Sequence, residues 1–259
     1  MTTAPAPTAA AVIRVRGLTV AYDGAPAVED VSFDVRAGER VAVIGPNGAG
    51  KSTIIKAIMG LLPARAGTVD VAGGLQRLGY VPQHEAVSWD FPVTVRDVVM
   101  MGRARQIGWL RGPRRADWQA VDAALGRVGL ADLRARQVGE LSGGQRRRVF
   151  VARALAQEAD TLLLDEPFSG VDASAQASIM DVLDALNADG LTIVLSTHDL
   201  GLAFRRFDRV LALRERVIAF DTPQAVYRPA VLAELYGSQL ASWDDGQQVF
   251  VFVDDHHCC

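Results

Sequence analysis

A short apolar strand that runs into a glycine-rich loop and then a helix constrains this chain more than any other segment. Residues 41–44 are apolar, and residues 45–53 read GPNGAGKST, which satisfies the spacing G-x-x-x-x-G-K-[ST]. The helical pattern of residues 51–61 follows at once and is closed by Gly60 and Pro63. This order of strand, loop and helix is the context that a phosphate-binding loop requires.

The loop has the chemistry that phosphate groups need. Glycine at positions 45, 48 and 50 lets the backbone curl so that successive N–H groups point at phosphate oxygens. Lys51 adds a point charge at the β and γ phosphates, and Ser52 offers a hydroxyl to Mg²⁺. Lys51 and Lys56 are the only lysines of the chain, which favours a demand for a compact ammonium. The alternative is a glycine-rich turn with a surface lysine.

A second apolar run ends in two carboxylates. Residues 161–167 read TLLLDEP, with Asp165 and Glu166 directly after the leucines. The carboxyl ends of parallel strands meet at the edge where ligands collect, so we expect both carboxylates beside the phosphate loop. Asp165 is predicted to hold Mg²⁺, directly or through water, and Glu166 to polarise the attacking water as a general base. The alternative is an acidic strand cap.

The run LSGGQ at residues 141–145 opens a helical pattern that continues to residue 157. A serine and two glycines at a helix N-terminus leave free N–H groups and a dipole directed at an anion. The chain therefore has two helix ends suited to phosphate, whereas one nucleotide needs only one. The second could serve a nucleotide held by another copy of the chain.

The remaining pattern predicts an α/β fold. Apolar and polar residues alternate from residue 12 onward and again over residues 31–35, which indicates a half-exposed antiparallel region. Residues 81–141, interrupted by glycine and proline, are interpreted as a helical segment. Apolar strands at residues 161–164 and 191–196, separated by a helical pattern, favour a parallel sheet covered on both faces.

In this order the motifs resemble those of the ATP-binding subunit of an ABC transporter, and the match spans about residues 12–237. The resemblance implies an α/β fold with a mixed-sheet RecA-like core, an antiparallel β subdomain and a helical signature subdomain at about residues 84–157. A flexible leader over residues 1–11 and a C-terminal extension over residues 238–259, without an assigned role, complete the predicted organisation.

The resemblance also implies the roles of single residues. Residues 45–53 correspond to Walker A, Gln83 to the Q-loop glutamine, residues 162–166 to Walker B, residues 169–172 to the D-loop and His198 to the switch histidine. The implied catalytic residues are Glu166, His198 and Gln83, and the implied Mg²⁺ ligands are Ser52, Gln83 and Asp165. The implied ATP-binding residues are Tyr22, Gly45, Pro46, Asn47, Gly48, Ala49, Gly50, Lys51, Ser52, Thr53, Ser142, Gly143, Gly144, Gln145 and Asp172.

A head-to-tail pair of copies follows from the same resemblance. Each ATP is expected to lie between Walker A of one copy and residues 142–145 of the other, with Asp172 directed across the interface. Binding of ATP then closes the dimer, and hydrolysis reopens it.

Residues 80–99 and the run FSGVD at residues 168–172 resemble the branch that imports manganese, zinc and iron. We expect a groove for a helix of a separate membrane permease, formed by Trp89, Phe91 and the helix capped by Thr94. An extracellular binding protein is expected to deliver the substrate to this permease. The alternative is that both aromatic residues belong to the core. An importer or exporter of another cargo, and a soluble ABC ATPase acting on nucleic acid or ribosomes, are the alternative functions.

Composition limits the partners. The chain has 27 basic and 30 acidic residues, so its net charge of -3 provides no domain-wide positive field for nucleic acid. Residues 146–148 are all arginine and are interpreted as a solvated basic face, although Arg147 stands where many relatives have glutamine. No apolar run reaches the roughly 18 to 20 residues that cross a bilayer. Residues 1–10 lack the features of a secretory signal. The resemblance implies a peripheral protein at the cytoplasmic face of the membrane.

The last four residues, His256, His257, Cys258 and Cys259, offer ligands for a soft or borderline metal. Four consecutive residues rarely close a tetrahedral site, so an incidental cluster is the alternative. The adjacent terminal cysteines cannot staple a fold, which is compatible with a reducing compartment.

Overall fold

The computed structural model describes residues 10–22, 24–83, 92–108, 111–237, 240–244 and 249–253. The strands of this part of the chain are β1 (Ala11–Tyr22), β2 (Ala25–Arg36), β3 (Arg40–Ile44), β4 (Ala66–Val71), β5 (Leu78–Val81), β6 (Thr161–Asp165), β7 (Thr192–Ser196), β8 (Arg209–Arg214), β9 (Arg216–Asp221), β10 (Leu240–Asp244) and β11 (Val249–Val253). The α-helices are α1 (Lys51–Ile58), α2 (Val95–Met100), α3 (Ala104–Ile107), α4 (Arg115–Arg127), α5 (Gly143–Leu155), α6 (Ala173–Ala188), α7 (Leu200–Arg206), α8 (Pro223–Val226) and α9 (Pro229–Tyr236).

A six-stranded sheet in the order β5-β6-β7-β3-β8-β9 forms the centre of the fold. Its first five strands are parallel and β9 is antiparallel to β8. Strands β6 and β7 are buried along their whole length, because helices or the second sheet cover each face. The prediction of a parallel sheet within a mixed α/β fold is confirmed.

Alternate residues of β3 pack into two separate hydrophobic clusters. Val41 and Val43 face α1 and the antiparallel sheet, whereas Ala42 and Ile44 face α5, α6 and their neighbours. Because side chains of a strand alternate between faces, a continuous apolar run is what a strand between two clusters requires. This position fixes the carboxyl end of β3, from which the glycine-rich loop starts.

The second sheet is antiparallel, in the order β2-β1-β4. Val15 on β1 pairs with Phe33 on β2 and with Val69 on β4. Burial alternates along β1 and β2, as the sequence pattern predicts for strands with one face on the core.

Helix α1 ends earlier than its apolar pattern suggests. Gly60 has a φ of 69°, its N–H donates to Ala57, and the N–H of Leu61 donates to Lys56. These bonds form a Schellman motif, which satisfies the last carbonyls and stops the helix at Ile58.

The segment predicted as helical over residues 81–141 contains α2, α3 and α4, but its start is wrong. Val81 is the last residue of β5, where it pairs with Leu164 of β6. Pro82 follows and lacks the N–H that would continue the ladder. Helix α2 begins as predicted, because the hydroxyl of Thr94 accepts a bond from the N–H of Asp97.

Residues 249–253 form β11, which pairs antiparallel with β10. Among the residues that the structure describes, no helix combines the length and the apolar character needed to cross a membrane.

Candidate functional site

The loop between β3 and α1 is crowded against its surroundings at two glycines. A Cβ atom on Gly45 would overlap the carbonyl oxygen of Leu213, and one on Gly50 would lie 2.6 Å from the carbonyl oxygen of Ala27. Gly50 also has a φ of 95°, a conformation that side chains other than glycine rarely adopt. The loop sequence is therefore fixed by space as well as by its ligand chemistry.

An open cavity of about 710 Å³ lies over this loop and the start of α1. Its volume is in the range of small-molecule sites. The residues that line it are Tyr22, Ala27, Asn47, Gly48, Ala49, Gly50, Lys51, Ser52, Thr53, Gln83, Glu166 and His198. Seven of these residues belong to the loop or to α1. Gln83, Glu166 and His198 come from three other segments, so predicted residues that are far apart in the sequence meet here.

Positive charge is concentrated at the floor of the cavity. Helix α1 begins at Lys51 with no side-chain cap and no acidic residue in its first turn, so its N-terminal dipole faces the cavity uncompensated. The Lys51 ammonium donates to the carbonyl oxygens of Gly45 and Pro46 at 2.8 and 3.1 Å. Gly45 and Pro46 thus hold the lysine rather than line the cavity. The arrangement suits a polyanion such as a chain of phosphates.

Ser52 and Asp165 meet as predicted from their places at the ends of neighbouring elements. The Ser52 hydroxyl donates to Oδ1 of Asp165 at 2.9 Å, and the Ser196 hydroxyl donates to the same oxygen at 2.7 Å. Asp165 is only 2% exposed. A hydroxyl beside a carboxylate is a set of hard oxygen donors, which fits Mg²⁺.

Tyr80 lies on β5 next to this carboxylate. Burial of the phenol, reinforced by the charge of Asp165, raises the pKa of Tyr80 to about 12. The tyrosine therefore stays neutral under ordinary conditions and adds no charge to the site.

The Glu166 carboxylate lies at the centre of a polar cluster. Its Oε2 accepts from Nε2 of Gln83 at 3.0 Å and from the hydroxyl of Ser169 at 3.2 Å. Nζ of Lys51 lies 3.6 Å from its Oε1, and Nδ1 of His198 lies 3.9 Å from its Oε2. A carboxylate held in this way beside a phosphate-binding loop is well placed to accept a proton from a water molecule.

Gln83 was predicted both as a catalytic residue and as a Mg²⁺ ligand. In the structure its side-chain amide donates to Glu166, not to the Ser52 and Asp165 pair. Its contact with Glu166 is compatible with the first role, and both roles stay predictions.

Residues 142–145 and Asp172 do not line the cavity of their own chain. Ser142 caps α5, where its hydroxyl accepts from the N–H of Gln145 and its own N–H donates to the Gln145 side chain. Asp172 caps α6 by accepting from the N–H of Ala175. A Cβ atom on Gly144 would lie 2.7 Å from Cβ of Ala175, so this glycine lets the two helix ends touch. Ser142, Gly143 and Asp172 are exposed.

The arginines at residues 146–148 are not the solvated basic face that was expected. Arg147 is buried, with 8% exposure. Arg146 donates to the carbonyl of Gly139, Arg147 to those of Pro82 and Gln83, and Arg148 to that of Val128. The three guanidinium groups therefore donate to main-chain carbonyls of three different segments.

Four residues that line the cavity or hold its side chains and main chain in place were not predicted as functional residues. They are Ala27, Ser169, Ser196 and Arg147. Ser169 was placed in the D-loop without a role. Single serines carry no spacing signal, and the alanine contributes only a wall, so sequence reasoning had little to detect.

Some predicted residues lie outside the part of the chain that the structure describes. They are Trp89, Phe91, His256, His257, Cys258 and Cys259. The expected permease groove and the terminal metal cluster therefore stay predictions.

The parallel sheet, the glycine-rich loop at the start of α1 and the two carboxylates after β6 define a P-loop nucleotide-binding domain. Residues 28–169 match the family model described as ABC transporter. The chain is 44% identical over 238 residues to the manganese transport system ATP-binding protein MntB of Bacillus subtilis, covering 90% of this chain and 95% of that protein.

Further relatives agree with this assignment. The zinc transport system ATP-binding protein TroB of Treponema pallidum is 44% identical over 235 residues, covering 89% of this chain and 88% of that protein. A solved structure described as a metal-chelate type ABC transporter in an inward-facing conformation matches with a TM-score of 0.81 and 28% identity, covering 93% of this chain and 96% of that one. The chain belongs to the ABC transporter family, and it is a nucleotide-binding ATPase domain of that family.

Proposed function

We propose that the chain is the ATP-hydrolysing subunit that powers transport of a metal ion, manganese, zinc or iron, across the cytoplasmic membrane together with a separate permease. The observation that carries the proposal is the Glu166 carboxylate, held by Gln83 and Ser169 at the edge of a cavity whose floor is Lys51 and the N-terminus of α1. The relatives named for manganese and zinc transport support the cargo.

Each group of the cluster has a role in the proposed hydrolysis of ATP. Lys51 and the first-turn N–H groups bind the phosphates, and Tyr22, exposed at the cavity wall, stacks on the adenine. Glu166 takes a proton from a water molecule, and the oxygen of this water forms a bond to the γ-phosphorus. At the same time the bond between the γ-phosphorus and the leaving oxygen of ADP breaks. His198, at the mouth of the cavity, contacts the γ-phosphate. Gln83 orients the carboxylate.

Mg²⁺ is the cofactor that this donor set fits. Ser52 and Asp165 would hold it, with Ser196 fixing the carboxylate from the other side. When bound, the ion neutralises charge that develops on the phosphates. The contact between the hydroxyl and the carboxylate keeps both donors at one point of the cavity edge.

A second copy of the chain completes the site in this proposal. Ser142 and Gly143 at the start of α5, and Asp172 at the start of α6, are exposed side by side, where a facing copy can place its nucleotide. Helix α5 presents its N-terminal dipole there, so a γ-phosphate between two chains would meet a helix end from each.

The permease contact and the location follow from the transporter role. The chain would sit at the cytoplasmic face of the membrane, with the region of Trp89 and Phe91 against the permease and an extracellular binding protein delivering the metal. Nucleic acid has no part in this function.

The test is substitution of the catalytic carboxylate. Glu166→Gln keeps the shape of the side chain but cannot accept the proton, so ATP turnover should fall about 100- to 10,000-fold while ATP still binds. Cells that lack the wild-type subunit should regain manganese, zinc or iron uptake with the wild-type chain but not with Glu166→Gln. Glu234→Gln, on the exposed side of α9, is the matched control and should restore uptake. Unchanged turnover in Glu166→Gln, or normal uptake of all three metals without the subunit, would contradict the proposal.

A further inference from the structure

Arg147 connects helix α5 to the segment that carries Gln83. One guanidinium nitrogen donates to the carbonyl of Pro82 at 3.0 Å and to that of Gln83 at 3.3 Å, and a second nitrogen reaches the Gln83 carbonyl at 3.4 Å. The side chain is buried. A planar fork that engages two successive carbonyls fixes the direction of the main chain as well as its distance.

The segment needs such a support, because the sheet stops holding it one residue earlier. Val81 is the last residue of β5 paired with β6, and Pro82 has no N–H to offer a neighbouring strand. The side-chain amide of Gln83 nevertheless lies 3.0 Å from the Glu166 carboxylate. Arg147 supplies hydrogen bonds to the carbonyls of both Pro82 and Gln83, the two residues that follow β5.

Arg147 is also close to the exposed end of α5. It follows Ser142 by five residues, about 7.5 Å along the helix at 1.5 Å per residue. Within one short helix these two positions move together. A shift of the α5 N-terminus therefore moves the anchor of the Gln83 segment by a comparable amount.

We propose that Arg147 is a positioning residue that sets the contact of Gln83 with Glu166 and links this contact to the nucleotide that the other copy holds at Ser142. The proposal rests on the proposed function, because the link requires the head-to-tail dimer. A nucleotide that draws the α5 terminus toward the facing copy would adjust the catalytic carboxylate of the chain to which α5 belongs.

The test compares Arg147→Gln and Arg147→Lys with Arg146→Gln. Arg146 makes a bond of the same kind on the same helix, but to Gly139 within the helical region. Arg147→Gln should lower kcat about tenfold and bring the Hill coefficient for ATP toward 1, with nucleotide affinity unchanged, because the loss is one of orientation. Lysine, which keeps the charge but not the fork, should restore part of kcat. Arg146→Gln should keep the wild-type kcat.

A double-mutant cycle distinguishes positioning from general support. If Arg147 acts through Gln83, then Arg147→Gln should cost nothing further in a Gln83→Ala background. An additional tenfold loss in that background, or an equal loss of kcat in Arg146→Gln, would overturn the inference. Thermal unfolding and nucleotide binding of each variant establish that it is folded. If Arg147→Gln does not fold, Arg147→Lys replaces it in the double-mutant cycle with Gln83→Ala. Absence of hydrolysis in the wild-type chain refutes the proposed function instead.

Discussion

Glu166 has a backbone conformation that few residues other than glycine adopt, with a φ of 43°. Its N–H donates to the Ser196 hydroxyl at 2.9 Å, and that hydroxyl donates to Asp165. Ser196 lies at the end of β7, beside β6, so a single buried hydroxyl holds the Asp165 carboxylate and the main chain of Glu166. Strained conformations of this kind persist where the surroundings fix them, and they are concentrated at functional sites.

Ser196→Ala should therefore affect turnover more than binding. The variant removes the acceptor of the Glu166 N–H and one of the two hydroxyl donors to Oδ1 of Asp165. We therefore expect a stability loss of about 1–3 kcal/mol and a kcat about tenfold lower. Urea denaturation and steady-state hydrolysis measure the two effects. Ser32→Ala is the control, since it removes a hydroxyl that accepts from the N–H of Gly17 far from the cavity. A wild-type kcat in Ser196→Ala would contradict the role given to this hydroxyl.

At the level of secondary-structure elements, a buried ion pair attaches α4 to the turn before α3. Nε of Arg103 lies 3.2 Å from Oδ1 of Asp117, and both side chains are buried. The other oxygen of Asp117 accepts from the N–H of Arg114, the N-cap residue of α4. The bond from the Arg114 N–H is the larger cause that lowers the pKa of Asp117 below its usual value, and the bond from Arg103 lowers it further.

The lowered pKa predicts how stability depends on pH. The contribution of Asp117 is present above the unfolded-state pKa and is lost as the pH falls through the lower folded-state pKa. Asp117→Asn should therefore lower stability at pH 7 and make the decline below about pH 4 shallower than in the wild type. Unfolding by urea at several pH values between 7 and 3 tests this. The exposed Asp132→Asn should follow the wild-type profile, and equal slopes for Asp117→Asn and wild type would contradict the prediction.

The elements that the sequence predicted are those with a local signal. Strands β3, β6 and β7 are continuous apolar runs, and α2 and α5 start at capping residues. Strand β4 was not predicted, because its residues are mostly exposed and the alternation is confined to residues 68–71. Strand β8 contains a buried run at residues 210–213 that was not recognised. The order of strands in the central sheet depends on long-range packing, which periodicity does not encode.

The same distinction holds within the site. Lys51, Ser52, Asp165 and Glu166 were predicted because each occupies a fixed place in a motif, and the structure brings them together. Ser196 and the buried state of Arg147 were not predicted, because a serine at a strand end and an arginine in a basic run have no distinctive spacing. Only their three-dimensional neighbours give them a role.

At the scale of the whole molecule, the proposed function has the two helix ends at Ser142 and Asp172 act on a nucleotide that a second chain holds. With ATP and Mg²⁺, Glu166→Gln should accumulate as a dimer because ATP is bound but not consumed. Adding Ser142→Arg should leave it monomeric, since the new side chain occupies the place of the phosphate. Size-exclusion chromatography with light scattering measures the mass. Thr68→Arg, on the exposed strand β4, should still dimerise, and a Ser142→Arg protein that dimerises equally well would contradict the shared site.

The turn between β8 and β9 lies directly behind the glycine-rich loop. The N–H of Glu215 donates to the Ala49 carbonyl at 3.0 Å, and the Glu215 carbonyl accepts from Glu29 of β2. Gly45 touches Leu213 on one side, and Gly50 touches Ala27 on the other. Main chain of β2 and of the β8–β9 turn therefore packs closely against the glycine-rich loop. If a second chain covers the cavity as proposed, ADP is expected to leave through the open side of the cavity, at a rate set by how far that chain withdraws.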